Sequence, residues 1–277
     1  MENEHLQHLR DRADYFMEEL KNHIVLENYW DRLSLVMKGS TARGYSDQYS
    51  DIDFVIFTDR KTQSEIVADY ISLGLSDRED SVFLPLNDEW EGHYNTDTYE
   101  NVEAHFADKN MIKVWECSNV AIMHDSGGRY EKTIRKNTAK LFAGIDALIM
   151  RKYYDIQLHL DWMRHPLKRA DINAAMQYAS HLQRYCCHMA YLLSNQSYPN
   201  EKWLFYYLKD TGLDELCLKI IDYSDAICEM PDIMPDLELE EYGAYQKMYE
   251  IVWDIVDILK ERYGDAKWID EWYLYAE

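Results

Sequence analysis

The run 50-SDIDFVIF-57 constrains this chain more than any other, because two aspartates one residue apart lead into an apolar strand. Residues i and i+2 of a strand point to the same side, ~6.5–7 Å apart. Asp51 and Asp53 therefore share one face, while Ile52 and Phe54 take the other, where helices can cover them. Two carboxylates on one face repel each other unless something positive lies between them. A divalent ion resolves the conflict, and Mg²⁺ favours one or two carboxylates completed by phosphate oxygens.

Upstream, residues 33–37 read as a short buried strand that ends at Gly39-Ser40. Glycine lets a phosphate approach the backbone closely. A turn after a strand can aim backbone N–H groups at an anion. Ser40 adds a hydroxyl donor, and Arg43 or Lys38 adds charge. A bare Asp-x-Asp is a weak pattern, and 46-SDQYSD-51 is also good turn and capping material. The Gly-Ser pair at a short distance ahead, with apolar strands on both sides, makes the whole a site for a metal–triphosphate complex.

The rest of the chain reads as α+β followed by all-α. Residues 3–22 have helical spacing, as do 64–75. Residues 53–57 are a second strand, 102–107 a third, and the polar segment 76–100 is irregular apart from a strand at 82–86. Beyond residue 125 come a long helical pattern over 132–162 that allows one break, another over 171–194, shorter helices at 200–209 and 213–229, and a last one over 242–262. The turn-rich 124-HDSGG-128 marks the joint. The expected organisation is a domain over 1–125, with a mixed sheet flanked by helices, and an all-α helical bundle over 126–277.

The formal net charge of −22 comes from 51 acidic and 29 basic residues. A field of that sign repels nucleic-acid phosphates and suits a cationic small molecule or a basic partner. It is equally the charge of an ordinary soluble acidic protein. The five cysteines form no Cys-x-x-Cys pair, and adjacent Cys186 and Cys187 fall on different helix faces, so neither a disulfide framework nor a zinc site is expected. No run approaches ~18 apolar residues, and the charged start of the chain lacks the apolar stretch of a signal peptide. A reducing cytoplasm is the simplest expected location.

Gly39-Ser40, Gly44 and Ser50-Asp51-Ile52-Asp53 together resemble the signature of the polymerase-β-type nucleotidyltransferase superfamily. The stretch GSTARGYSDQYSDIDFVIF is most similar to small bacterial antibiotic nucleotidyltransferases, of the aminoglycoside and lincosamide kind. In the helical half, 168-KRAD-171 resembles an Arg-Gly-Glu/Asp element of those enzymes, with Ala170 in place of the usual glycine. Tyr198 to Trp203 resembles a Tyr-Pro-x-x-Lys-Trp element of bacterial nucleotidyltransferase-like proteins.

The resemblance implies a mixed sheet flanked by helices, Mg²⁺, and a nucleoside triphosphate, usually ATP. It implies transfer of the nucleotide to a hydroxyl with loss of pyrophosphate, by enzymes that include monomers and homodimers with shared sites. It implies that Asp51 and Asp53 hold metal and that Gly39, Ser40, Arg43 and Ser50 serve the nucleotide. It further implies a third carboxylate, for which Glu103 is preferred over Asp108, a surface Glu–His pair being the other reading of Glu103. Asp171 is the candidate general base or acceptor ligand, and equally a helix N-cap.

Gln177, His181, Arg184 and His188 form a polar stripe, either lining a cleft or facing solvent. Trp203 reads as core, with Lys202 beside it, and Trp90, His93 and Tyr94 as a loop over a substrate. The expected acceptor is a small molecule, with a protein or tRNA partner in a toxin–antitoxin or regulatory system as the alternative.

Overall fold

The computed structural model describes residues 4–230 and 241–275. These divide into two compact units, residues 1–141 and 142–277.

The first unit is built on a five-stranded mixed sheet whose strands lie in the order 83–85, 92–98, 52–58, 34–38 and 121–125. Helix α1 (Glu4–Lys21) precedes β1 (Ser34–Lys38). A one-and-a-half-turn helix α2 (Gly39–Arg43) leads to β2 (Ile52–Thr58), and α3 (Arg60–Ser72) follows. Strands β3 (Phe83–Pro85) and β4 (Gly92–Thr98) precede α4 (Tyr99–Ala107), α5 (Met111–Ser118), β5 (Ala121–Asp125) and α6 (Arg129–Ala143). Strand β1 runs antiparallel to both β2 and β5, β4 parallel to β2, and β3 antiparallel to β4.

Strand β2 is apolar along almost its whole length because both its faces are covered. On one face Ile52, Phe54 and Ile56 pack with Leu35, Met37 and Tyr94 into a core shared with Phe16 and Leu20 of α1 and with Ile66 and Tyr70 of α3. On the other, the Phe57 ring lies 4.8 Å from Tyr130 and 6.5 Å from Tyr99. Asp125 fastens this side. Its carboxylate accepts from the Ser34 hydroxyl (2.6 Å) and from the backbone N–H groups of Tyr130 (3.0 Å) and Glu131 (3.1 Å), so it caps α6.

Three sequence-based expectations are corrected here. Residues 102–107 are a helix. Their apolar/polar alternation imitates a strand, but Tyr99, Val102 and Phe106 also form a helical stripe, and the Thr98 side chain caps it by accepting from Asn101 N–H. The strand lies instead in the segment expected to be irregular. GHYNTDT buries Tyr94, Thr96 and Thr98 and turns His93, Asn95 and Asp97 the other way. Residues 200–209 are a chain of turns ending in a short 3₁₀ helix, Leu208–Thr211. The Leu204 carbonyl accepts from the Tyr191 hydroxyl (2.8 Å), and Trp203, Leu208 and Asp210 N–H groups reach carbonyls three residues back.

The second unit is helical: α7 (Asp146–Lys168), α8 (Ile172–Leu193), α9 (Asp214–Glu229), α10 (Gly243–Tyr263) and the single turn α11 (Lys267–Asp270). The long pattern over 132–162 does break, between α6 and α7. The core stripes are Ile149, Tyr153, Ile156, Leu160 and Met163 of α7, Ala175, Ala179, Leu182 and Cys186 of α8, and Met248, Ile251, Ile255 and Leu259 of α10. Gln183, buried in α8, donates to the Ile220 carbonyl of α9 at 2.7 Å. All five cysteines are free thiols. Among the described residues no helix is long and apolar enough to cross a membrane.

His188 is buried in α8 and stacks on Tyr198 with centroids 3.8 Å apart. Burial, then the nearby Lys152 and Arg184 charges, lower its pKa to about 3. The unfolded chain, with His near ~6.5, then binds more protons than the folded one as pH falls. His188 therefore supports folding above pH ~6.5, and that support is lost on the way down towards pH 3. Stability should drop by roughly 1.5 kcal/mol between pH 6.5 and 5 from this group, and His188→Phe, which keeps the stack, should flatten that dependence in urea unfolding.

Asp125 behaves likewise for another reason. Burial would raise its pKa, but the hydrogen bonds from Ser34 and the start of α6 outweigh it and hold the carboxyl below the usual range. Its contribution is complete above pH ~4 and is lost as pH falls further. Asp125→Asn should cost about 1–2 kcal/mol at pH 7 by denaturant unfolding, and less at pH 3.

Candidate active site

The mouth of β2 is assembled from three pieces of backbone. The first is the turn after β1. Gly39 has φ +75°, in the left-handed region, and a Cβ there would stand 2.4 Å from Asp53 Oδ2. Only glycine lets the Asp53 carboxylate lean over the start of α2. Gly44, φ +82°, ends α2, its N–H reaching back to the carbonyls of Ser40 and Thr41.

The second piece is the loop 45–51. The buried Thr41 hydroxyl donates to the Asp51 carbonyl (2.9 Å) and accepts from Ser46 Oγ (2.9 Å). The Asp47 carboxylate accepts from Tyr49 N–H (2.9 Å) and Ser50 Oγ (3.1 Å), which closes an Asx turn. Ser40 Oγ donates to Ser50 Oγ at 2.9 Å, joining the first piece to the second.

The third piece is the start of β4. Ile52 N–H donates to the Glu91 carbonyl at 3.1 Å. A Cβ on Gly92 would sit 2.2 Å from the Ile52 carbonyl oxygen, so the two backbones touch there. Arg12 of α1 grips the Glu91 carboxylate with two donors, and Asn87 adds a third. The Arg12 hydrogen bond outweighs burial and holds the Glu91 carboxyl below the usual carboxylate range.

This scaffold carries three side chains to one place. Asp53 is flanked in the sheet by Lys38 on β1 and His93 on β4. His93 Nε2 lies 3.4 Å from Asp53 Oδ1, and its Nδ1 lies 3.9 Å from Asp51 Oδ2. The Phe83 ring packs on the imidazole at 4.8 Å. Ligand atoms of Asp51, Asp53 and His93 all fall within 4.8 Å of one another, the one such group of three or more among the described residues. A divalent cation fits this donor set, because ligands ~2.1 Å from an ion lie about 3–4 Å apart.

The other sequence-derived candidates fall elsewhere. Arg43 stacks over the Trp115 ring at 5.0 Å. Glu103 lies on α4, about half exposed and 3.6 Å from Lys136 Nζ, and Asp108 is the C-cap residue of that helix; neither joins the group. The acid on β4, Asp97, accepts from Thr98 N–H and Asn101 Nδ2, both at 2.7 Å.

In the second unit, Asp171 Oδ1 accepts from Ala174 N–H at 3.1 Å, so it is the N-cap of α8. It also lines an open cavity of about 560 Å³ with Trp162, His165, Pro166, Arg169, Ala174 and Tyr178. Ala170, beside it, has φ +52°, a left-handed backbone that alanine seldom adopts. Of the polar stripe, Gln177 is exposed, His181 and Arg184 are partly buried and His188 is buried. Trp203 is partly buried, with Tyr206 against its ring at 5.8 Å.

His93, Thr41 and Asp47, with Arg12, Glu91 and Gly92, are among the site-building residues that sequence reasoning left out or placed in a loop. The signal for His93 is the two-residue alternation of GHYNTDT, with Tyr and Thr on one side and His, Asn and Asp on the other.

A short helix after a buried strand, with an acid pair at the mouth of the next strand, is an arrangement suited to nucleotide transfer. Residues 19–120 match the model of the nucleotidyltransferase domain family, and these residues are a nucleotidyltransferase domain of the polymerase-β type. No curated protein matches the chain. Among solved structures, a nucleotidyltransferase-like protein from Exiguobacterium sibiricum 255-15 is similar at 10% identity and a TM-score of 0.49, covering 90% of this chain and 80% of its own.

Gly39→Ala tests the close approach of the Asp53 carboxylate. It should leave the protein folded, with stability lowered by ~1–2 kcal/mol from the strained backbone, and weaken divalent-metal binding at least tenfold by calorimetry as the carboxylate is pushed aside. Gly92→Ala should instead impair folding itself, since the new atom meets the backbone of β2.

Proposed function

We propose that the protein transfers a nucleotide, AMP from ATP, to a hydroxyl of a small molecule such as an aminoglycoside or lincosamide, releasing pyrophosphate. The observation that carries this reading is the pair Asp51 and Asp53 at the mouth of β2, with Gly39-Ser40 beside it in a nucleotidyltransferase domain.

In this reading Asp51 and Asp53 hold the divalent ion, Mg²⁺ in the resembled enzymes. The bound ion supplies charge neutralisation and Lewis-acid polarisation at the phosphates. Gly39 and Ser40 receive the β- and γ-phosphates, the Ser40 hydroxyl turning from Ser50 to a phosphate oxygen. Ser50 and Asp47 keep the loop closed while this happens. Arg43, the last residue of α2, adds positive charge. Protein groups here position and neutralise, which is what transfer of a phosphoryl-type group requires.

The helical unit is proposed as the acceptor side. Its cavity joins the aromatic rings of Trp162 and Tyr178 to the Asp171 carboxylate, a combination that suits a cationic, hydroxyl-bearing molecule. Asp171 would hold the acceptor and take its proton. The charge of −22 favours such an acceptor over a nucleic acid.

Asp51→Asn with Asp53→Asn should abolish metal-dependent pyrophosphate release, with kcat down by at least 10³. Turnover persisting in the double variant overturns the reading. A panel of aminoglycosides and lincosamides with labelled ATP should yield a labelled product with at least one; Asp171→Asn should then lower kcat/KM at least tenfold with ATP binding unchanged.

A further inference from the structure

We propose that His93 is a metal ligand together with Asp51 and Asp53, and that this nitrogen donor makes the site select Mn²⁺ over Mg²⁺. The inference rests on the reading of the aspartates as metal carboxylates and goes beyond it to the identity of the ion.

The placement of His93 follows from sheet register. In the parallel pair β2–β4, Asp53 and His93 are lateral partners, so their side chains share a face. Register is held by the Ile52 N–H bond to the Glu91 carbonyl and by the contact of Gly92 with Ile52. Glu91 in turn is gripped by Arg12. Phe83 limits the ring's rotation. One ring nitrogen can serve the ion: Nε2 lies 3.4 Å from Asp53 Oδ1, the gap of neighbouring donors around an ion at ~2.1–2.2 Å, and one ligand atom from each of the three residues falls within 4.8 Å of the others.

Two acids that follow on β4 and α4 are engaged elsewhere. Asp97 accepts from Thr98 N–H and the Asn101 side chain, and Glu103 faces Lys136. Among the described residues, the group of three that could hold an ion contains His93 and no third carboxylate.

Chemistry then separates the ions. Mg²⁺ is hard, sheds water reluctantly and takes oxygen donors. Imidazole suits the transition metals, whose affinity for nitrogen ligands rises from Mn²⁺ onwards. A neutral imidazole in place of a third carboxylate also removes one unit of negative charge. That weakens the purely electrostatic hold on which Mg²⁺ depends, while Mn²⁺ gains a covalent contribution from the ring nitrogen.

The test is electron spin-echo spectroscopy of the full chain loaded with Mn²⁺ alone, with Mg²⁺ competition followed by the free-Mn²⁺ signal. The wild type should bind Mn²⁺ with ¹⁴N modulation from a directly bound imidazole. His93→Asp should bind Mn²⁺ without that modulation, and its Mn²⁺-over-Mg²⁺ affinity ratio should fall at least tenfold. His93→Gln should lose the modulation too.

Bound Mn²⁺ without nitrogen modulation in the wild type overturns the proposal. So does modulation that survives in both variants, an unchanged affinity ratio, or no Mn²⁺ binding at all. Nitrogen-free Mn²⁺ with intact, Asp-dependent pyrophosphate release removes His93 and leaves nucleotide transfer standing. Nitrogen-bound Mn²⁺ without turnover on any acceptor does the reverse.

Discussion

The structure depends on a conflict at one end of one strand. Strand β2 is the middle of five, with helices over both faces, and nothing charged can enter it along its length. Its mouth nevertheless holds two carboxylates on one face, which repel each other. The surrounding backbone is arranged against that repulsion. Thr41 holds the Asp51 carbonyl, Glu91 accepts from Ile52, and Gly39 leaves Asp53 the space to turn sideways. These contacts hold the acids at the spacing a cation requires, so charge repulsion is confined where it can be put to use.

How far the fold could be read from residues depended on whether local pattern and tertiary environment agreed. For β1, β2 and the long helices they agreed, since apolar periodicity there reports directly on burial. Strand β4 was hidden because its buried side uses Tyr and Thr and its open side His, Asn and Asp, which together resemble loop composition. Val102 to Ala107 misled in the opposite sense: three alternations fit a strand as well as they fit one helical stripe. At 200–209 the backbone carbonyl of Leu204 is taken by Tyr191 from elsewhere in the unit, a competition no local pattern announces.

The same division holds for the site. Asp51, Asp53, Gly39 and Ser40 are close in sequence and were legible as a group. His93 lies forty residues beyond Asp53, and its role depends on a register that only the paired strands define. The polar stripe on α8 shows a related limit. Spacing puts Gln177 and His188 on one line, yet one is exposed and the other is buried against Tyr198, where it stays neutral. Position along a helix fixes direction, and only the packing of neighbours decides what lies in that direction.

The grip of Arg12 on Glu91 joins residues 79 apart, and it closes on the strand next to the one that bears the acids. A segment containing residues 38–57 has the whole acid signature and none of this bracing. Such a segment is a motif without a site. Its aspartates gain their third neighbour only after α3 has returned the chain alongside β2 and α1 has docked, contacts that are long-range and costly to close. The grouping of Asp51, Asp53 and His93 is thus a report on completed tertiary structure: an unfinished chain shows the motif and lacks the group.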